Sequence, residues 1–277
     1  MITNPKFDEL TNLDILEKIK NLEKEGRFNE HIDPINPDYS KVTEDYPYIP
    51  DEKLEKHYES VRKKYIRPYL FLLHNFLVKT KVRGRKNLKG IDKCIVTCNH
   101  VNKIDSLCVK KAVKPHNLYV IGAPFNNQNG LVGDFLKAGG MLPLADDFKG
   151  MKKFNEALEY YINKNSYILI FPETSEWWCY EKPRPYANGA FHYAIKFDVP
   201  ILPVFITFKD RWFKKDKFGL KKKKFIVNIL KPIYSNKELN NRENVEYMKK
   251  MNFDLCKAKY EEFYKKELKY DTISEEK

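Results

Sequence analysis

The sequence lacks an uninterrupted apolar run long enough to span a bilayer. Its longest apolar stretch, residues 69–78, contains polar residues and is flanked by Arg67 and Lys79, whereas a spanning helix needs about 20 apolar residues. A charged fraction of 32% and a mean hydropathy of -0.62 also argue against an integral membrane protein. A buried helix is favoured for residues 69–78, with a membrane contact as the alternative. The lysine-rich N-terminus does not resemble a secretory signal.

Cysteines are scarce, and their arrangement does not suggest a disulfide framework. The chain has 5 of them, Cys94, Cys98, Cys108, Cys179 and Cys256. An odd number of scattered cysteines indicates a reducing, cytoplasmic setting. Cys94, Cys98 and His100 could together bind a metal, but the strand pattern of this segment favours buried thiols. No metal is therefore predicted.

Acidic residues are outnumbered by basic ones. The chain has 51 Lys and Arg against 38 Asp and Glu, a net charge of +13. Such an excess predicts an anionic partner, either a nucleic acid or an anionic membrane surface. The chain has no zinc finger, no RNA-recognition signature and no basic stripe interleaved with small residues. Nucleic acid is therefore not the expected partner, although it remains the alternative.

Much of the positive charge lies in residues 209–224, beside aromatic side chains. This segment joins two predicted strands, so a hairpin is expected. A mixture of cations and aromatic rings is typical of the membrane interface, whereas a solvated lysine-rich loop is the alternative. The predicted membrane contacts are Trp212, Phe213, Lys221, Lys222, Lys223 and Lys224.

Strand-like and helix-like segments alternate along the middle of the chain. Strand patterns lie near residues 94–98, 118–122, 140–144, 166–171 and 201–208, and helix patterns near 104–112, 131–138, 150–163 and 189–197. This alternation predicts an α/β fold with a largely parallel sheet covered by helices on both faces. A further strand near 224–230 and a charged helix over 237–270 are expected to follow.

The first 80 residues have a different pattern. Helices are predicted over residues 10–25 and 51–79, the second with a kink or break at Pro68. Proline-rich stretches between the two helices interrupt regular structure. The chain is therefore divided into an N-terminal helical extension, residues 1–80, and a main domain, residues 81–277.

A histidine and an aspartate follow the first strand of the main domain. The segment Cys94–Cys98 is uncharged and strand-like, His100 comes just beyond it, and Asp105 comes five positions later. An aspartate at the start of the next helix can accept from one imidazole nitrogen and leave the other to accept a proton from a hydroxyl. The pair is predicted to be a catalytic dyad, with a structural loop histidine as the alternative.

Three further segments occur in an order that matches a known family. The segment from Gly133 to Leu144 contains a Gly-Asp-Phe-Leu stretch, and Phe171-Pro172-Glu173 begins at the last residue of the fourth predicted strand. The segment from Val199 to Val204 lies about ten residues after Gly189. Together with Asn99-His100-(x)4-Asp105, they resemble the four motifs of the glycerolipid acyltransferases. The resemblance covers roughly residues 80–210.

The resemblance implies direct transfer of an acyl group from a thioester to a hydroxyl. His100 would act as general base and Asp105 would orient it, without an acyl-enzyme intermediate. Turnover would then rise with pH through the pKa of the dyad, between about pH 5 and about pH 8. The donor would be acyl-CoA or acyl carrier protein, and no cofactor is implied. The sequence also lacks the Gly-x-Ser-x-Gly elbow of serine hydrolases.

The chain departs from the family pattern where phosphate-binding arginines are expected. Phe-Pro-Glu continues into Thr174-Ser175-Glu176 in place of Gly-Thr-Arg, and Leu144 is followed by alanine and two aspartates. Lys182 and Arg184, in an inserted loop with two tryptophans, could substitute for them. A surface loop with solvated charges, whose tryptophans pack on the sheet edge, is the alternative. The predicted substrate-binding residues are Asn99, Glu173, Thr174, Lys182, Arg184 and Gly189.

The sequence thus predicts a cytoplasmic acyltransferase of phospholipid biosynthesis, bound to the inner face of the membrane. It would acylate a lysophospholipid such as 1-acylglycerol 3-phosphate. The competing hypotheses are a basic nucleic-acid-binding protein and a catalytically silent member of the fold that binds lipid or acyl carrier protein.

Overall fold

The computed structural model describes residues 12–32, 39–215 and 221–272, without the side chains of Asn12, Phe213, Lys214, Lys215 and Lys221. The predicted contacts of Phe213 and Lys221 with a membrane thus lie outside the described side chains. Eight α-helices occur in the described part of the chain. They are α1 Asn12–Lys24, α2 Glu52–Val61, α3 Arg67–Leu72, α4 Asp105–Ala112, α5 Gly130–Ala138, α6 Phe148–Asn163, α7 Gly189–Lys196 and α8 Asn241–Tyr264.

The described residues form one seven-stranded sheet. Its strands are β1 Lys81–Arg83, β2 Cys94–Cys98, β3 Leu118–Gly122, β4 Met141–Pro143, β5 Tyr167–Ile170, β6 Ile201–Lys215 and β7 Lys221–Ile229. Their spatial order is β1-β7-β6-β2-β5-β3-β4. All neighbours run parallel except the hairpin of β6 and β7. The predicted α/β fold with a largely parallel sheet is confirmed.

Helices cover both faces of the sheet because alternate strand residues point to opposite sides. Val96 and Leu169 pack in one core with residues of α4. Ile95 and Ile168, one position earlier on the same strands, pack in a second core with α6 and α7. These strands are buried on both faces, which explains their nearly continuous apolar sequences.

The chain leaves β2 and β5 toward opposite faces of the sheet. These two strands are neighbours, with Val96 opposite Leu169. The residues after β2 lead into α4 on one face, and those after β5 lead to α7 on the other. Ligands of open α/β sheets bind in the crevice that such diverging connections leave at the carboxyl ends of the strands. His100 follows β2 and Glu173 follows β5 at this point.

The second predicted helix continues through Pro68. The helical stretch runs over α2 and α3, with π-helical turns at Arg62–Ile66 and Leu73–Leu77. The helical stretch is therefore not broken at Pro68, and a π-helical turn lies just before it. The buried residues Tyr58 and Ile66 pack on α5.

Candidate active site

His100 and Asp105 lie together at the carboxyl end of β2. Nδ1 of His100 is 3.1 Å from Oδ2 of Asp105. The same oxygen accepts the backbone N–H groups of Val101 at 2.6 Å and of Asn102 at 2.8 Å. An oxygen that accepts these bonds is unprotonated, so the proton is assigned to Nδ1 of His100. Nε2 is then the nitrogen that can take a proton from a substrate.

Asp105 is held by the backbone at the start of α4. It is the first residue of the helix and is fully buried. Burial raises the pKa of its carboxyl, while the backbone bonds from Asn102 and Val101 oppose this effect. The positive end of the helix dipole also favours the carboxylate. Its position is therefore set by the chain itself, before any substrate binds.

The imidazole of His100 stacks on Phe171 with ring centroids 4.0 Å apart. Its side chain is 23% exposed. Burial lowers the pKa of His100 to about 4; the charges of Glu176 and Glu173 oppose this shift and that of Arg184 adds to it. The imidazole is therefore neutral at pH 7, which is the state that a general base requires.

Asn99 has a structural role in place of the predicted substrate contact. Its Nδ2 donates to the carbonyl of Ile206 at 3.0 Å, and its Oδ1 accepts the N–H of Ile206 at 2.7 Å. The side chain thereby extends the pairing of β2 with β6. Because the residue is 1% exposed and both polar atoms are used, it fixes the turn that carries His100.

Glu173 links the turn of His100 to Arg184. Its Oε2 accepts the backbone N–H of His100 at 3.1 Å, and its Oε1 accepts that of Arg184 at 3.0 Å. The guanidinium of Arg184 forms an ion pair with Oε2 at 3.0 Å, and both side chains are 1% exposed. In this arrangement the carboxylate of Glu173 supports the turn of His100 from within the protein, where the sequence suggested a substrate contact.

Arg184 uses all of its donors inside the protein. Besides Glu173, its guanidinium donates to the carbonyl of Phe28 at 2.7 Å, the hydroxyl of Ser175 at 2.8 Å and the carbonyl of Ser175. It also lies over the ring of Trp177, 4.7 Å from the centroid. A guanidinium has five N–H donors, and none is left for the substrate phosphate that the sequence suggested.

Lys182 also forms an internal ion pair. Its Nζ is 2.6 Å from Glu23 of α1 and 3.4 Å from Asp271 near the other end of the chain. The side chain thus holds the two ends of the chain against the inserted loop. Lys182 is therefore not simply solvated, and its contact with a phosphate stays a prediction.

Thr174 and Gly189 are the predicted substrate-binding residues that remain exposed. Thr174 occupies the position where the family pattern has glycine, and its φ of 63° is in the left-handed region. This conformation costs a β-branched residue about 1–2 kcal/mol. The tight turn after Phe171 is therefore kept, with the N–H of Thr174 bonded to the carbonyl of Phe171 at 3.1 Å. Gly189 begins α7.

Sequence reasoning missed the role of Trp177. This side chain is fully buried, in a small core with Ile19, Leu22 and Ile32 of the N-terminal segment. Its ring stacks on Phe28 with centroids 5.8 Å apart. An indole has a large apolar surface, which another segment must cover when the rest of the loop is charged. The tryptophan in this loop was therefore the sequence signal that could have predicted packing against the N-terminal segment.

The two cysteines of β2 are buried, as the strand pattern predicted. Cys94 and Cys98 are both free thiols packed in the core on the α4 side of the sheet. Burial raises the pKa of each thiol well above its ordinary value. Neither is therefore the thiolate that a nucleophile or a metal ligand requires at pH 7.

A comparison with protein-family models identifies the central part of the chain. The model of the Acyltransferase family matches residues 79–207, a range that contains His100, Asp105 and Glu173. These residues form an acyltransferase domain. The sequence-based recognition of the family is confirmed.

The chain was also compared with solved structures and with curated proteins. The chain is similar to the crystal structure of the 1-acyl-sn-glycerophosphate (LPA) acyltransferase PlsC from Thermotoga maritima, with a TM-score of 0.46 and 17% identity. The similarity covers 73% of this chain and 95% of that one. No curated protein matches the chain.

We expect Arg184 to stabilise the acyltransferase domain and not to bind substrate. Arg184→Leu leaves the carboxylate of Glu173 buried without its counter-ion, which costs about 3–5 kcal/mol. Thermal unfolding of the variant and the parent measures this loss. Lys250→Leu, which removes an exposed i,i+4 ion pair with Asp254 on α8, serves as the control and should change the melting temperature little.

A stable Arg184→Leu variant with a raised acceptor KM would contradict this assignment. Such a result would support the phosphate-binding role of Arg184 that the sequence suggested.

The lowered pKa of His100 shifts the expected pH dependence of the acyltransferase. The base is active when neutral, so kcat/KM should fall as pH drops through about 4 and stay level from about pH 5 to about pH 8. This result differs from the rise above pH 5 expected for an unperturbed histidine. Circular dichroism at each pH separates loss of the base from unfolding. A midpoint near pH 6.5 would contradict the structural assignment.

Proposed function

We propose that this acyltransferase moves a fatty acyl group from a thioester donor to a hydroxyl of a lysophospholipid, with His100 as general base. The observation that carries the proposal is the 3.1 Å contact of His100 with Asp105 at the carboxyl end of β2, within the segment that matches the family. The geometry leaves one nitrogen free for proton transfer and needs no nucleophilic side chain.

The proposed reaction is a single acyl transfer. Nε2 of His100 takes the proton of the acceptor hydroxyl as its oxygen attacks the thioester carbonyl. Asp105 stabilises the imidazolium that forms. The tetrahedral intermediate then collapses, the bond from carbon to sulfur breaks, and the thiolate takes the proton from the imidazolium. The products are an ester and a free thiol.

The donor is proposed to be acyl-CoA or acyl carrier protein, both of which present an acyl thioester. The acceptor is proposed to be a lysophospholipid. The internal ion pairs of Lys182 and Arg184 argue against a head group with a terminal phosphate, as in 1-acylglycerol 3-phosphate.

Replacing the base should abolish turnover without unfolding the protein. His100→Ala should lower kcat by about 10² or more, the usual contribution of a positioned general base, and Asp105→Asn should also be severe. Release of free thiol from palmitoyl-CoA in the presence of lysophospholipid measures turnover, and circular dichroism checks the fold.

His192→Ala, which changes an exposed histidine of α7, is the matched control and should be as active as the parent. A folded His100→Ala variant that keeps more than about a tenth of parental activity would rule out His100 as the base.

The proposed function also places the protein on a membrane, because lysophospholipid and product partition into lipid. Within residues 12–32, 39–215 and 221–272, none of the helices has both the length and the apolar character that crossing a bilayer requires. Attachment to the surface is therefore the arrangement we propose, on the anionic inner leaflet that faces the cytoplasm.

A hydrogen bond links the two segments for which the sequence suggested membrane contact. The helical stretch ending at Leu77 exposes Phe71 and Phe76 by 65% and 57%, so the buried helix favoured from the sequence is only partly buried. Arg211 of β6 donates to the carbonyl of Leu77 at 2.6 Å, and its neighbour Trp212 is 83% exposed. This bond brings the hairpin to the end of the helical stretch, and we propose that Phe71, Phe76 and Trp212 enter the membrane together; they are called here the docking patch.

Cations border the docking patch on β7. Lys222 is exposed and Lys224 is half-buried, whereas Lys223 pairs with Asp210 at 2.7 Å. Positive charge around exposed aromatic rings complements an anionic leaflet: the charges attract from a distance and the rings enter the interface. This combination supports membrane contact over the solvated loop.

Binding to vesicles should have a part that salt removes and a part that it does not. Lys222→Gln with Lys224→Gln should weaken sedimentation with phosphatidylglycerol vesicles at low salt, since such attraction is screened within about 10 Å at 0.1 M salt. Phe76→Ser and Trp212→Ser should each weaken the salt-resistant part by about tenfold.

Phe148→Ser is the matched control, because Phe148 is 88% exposed at the start of α6, outside the docking patch. Equal binding by all variants would contradict the docking patch. Tighter binding to an oligonucleotide than to vesicles would favour the nucleic-acid alternative.

A further inference from the structure

The N-terminal segment of residues 28–32 is bonded to the residues that surround the catalytic turn. The carbonyl of Phe28 accepts from Arg184 at 2.7 Å, and the carbonyl of Glu30 accepts the indole N–H of Trp177 at 2.9 Å. Lys18 of α1 donates to the carbonyls of His31 and Ile32 at 3.1 and 2.7 Å. The backbone on both sides of His31 is therefore fixed.

Trp177 bonds both to this segment and to the catalytic histidine. Its backbone N–H donates to the carbonyl of His100 at 2.9 Å, while its indole holds Glu30. Glu30, which precedes His31, and His100 are thus both bonded to Trp177. The carbonyl of Glu30 accepts the indole N–H, and the carbonyl of His100 accepts the backbone N–H. Movement of the N-terminal segment relative to His100 is restricted accordingly.

His31 also contacts the next connection along the edge of the sheet. Its ring lies 5.7 Å from that of Phe125, at 85°, and Phe125 follows β3. His31 therefore sits beside the carboxyl ends of β2, β5 and β3, where ligands of open α/β sheets bind. His31 is exposed and can therefore reach a ligand, unlike the buried Glu173 and Arg184 that support the turn of His100.

The chemistry of His31 suits hydrogen bonding to a neutral group or an ester oxygen. Burial of part of the ring lowers its pKa, Glu30 opposes that shift, and protonation of His100 would lower it further. At pH 7 the imidazole is therefore neutral, with one donor and one acceptor nitrogen. This differs from the permanent charge of the arginines that the chain lacks at the family positions.

We propose that His31 binds the polar head group of the acceptor lysophospholipid by hydrogen bonding, and that Trp177 is the positioning residue that holds it beside His100. The proposal rests on the proposed function, since it assigns the acceptor side of the same reaction. It makes the N-terminal segment part of the acceptor site, and it predicts recognition by hydrogen bonds instead of by an arginine–phosphate ion pair.

Steady-state kinetics test the assignment, with lysophosphatidic acid and lysophosphatidylglycerol as acceptors and palmitoyl-CoA as donor. His31→Ala should raise the acceptor KM by about fivefold to tenfold, the loss of one hydrogen bond, while the donor KM stays at the parental value. His31→Asn, which keeps a donor and an acceptor, should recover part of the loss. His192→Ala is the matched exposed histidine and should leave both constants unchanged.

Trp177→Phe tests the positioning role, because it keeps an aromatic ring beside Phe28 and removes the indole N–H together with one ring of the buried side chain. It should raise the acceptor KM as His31→Ala does, and the double variant should be no worse than either single one, since both act through one contact. A lower melting temperature with an unchanged acceptor KM would show that Trp177 is merely structural and would overturn its assignment.

Two outcomes separate this inference from the proposed function. If the parent turns over and His31→Ala keeps the parental acceptor KM, the inference fails and the proposed function stands. If the parent turns over no lysophospholipid, the proposed function fails. Calorimetric binding of lysophosphatidylglycerol then decides the inference: equal affinity of the parent and His31→Ala overturns it, and weaker binding by the variant supports it.

Discussion

The buried ion pair of Glu173 and Arg184 is the interaction on which the rest of the site depends. One carboxylate oxygen of Glu173 bonds to the backbone of His100, and the guanidinium of Arg184 neutralises the charge that burial would otherwise forbid. Neither group could be buried alone, because an unpaired ion in the interior costs several kcal/mol. The position of His100 is therefore coupled to a residue of the loop that follows β5.

This coupling extends to both ends of the described chain. Arg184 bonds to Phe28 and lies over Trp177, whereas Lys182 of the same loop pairs with Glu23 and Asp271. The inserted loop supplies cations and an indole that attach the N-terminal segment beside the turn of His100. The extension is consequently part of the architecture around His100, although the family match begins only at residue 79.

The sheet and the dyad could be predicted because their signals are local. Buried parallel strands such as Cys94–Cys98 are short apolar runs, and His100 and Asp105 are close in sequence. The roles of Lys182 and Arg184 could not be predicted, since their partners are distant in sequence and a charged loop resembles a solvated one until those partners are known. The low pKa of His100 likewise depends on burial, which its local sequence does not show.

The most direct test of the central interaction is the turnover and melting temperature of Glu173→Gln. The substitution keeps the shape of the side chain and removes its charge, so Arg184 stays buried without a counter-ion. Both quantities should fall together, because the same group stabilises the loop and holds the turn of His100. Parental turnover together with a parental melting temperature would contradict it.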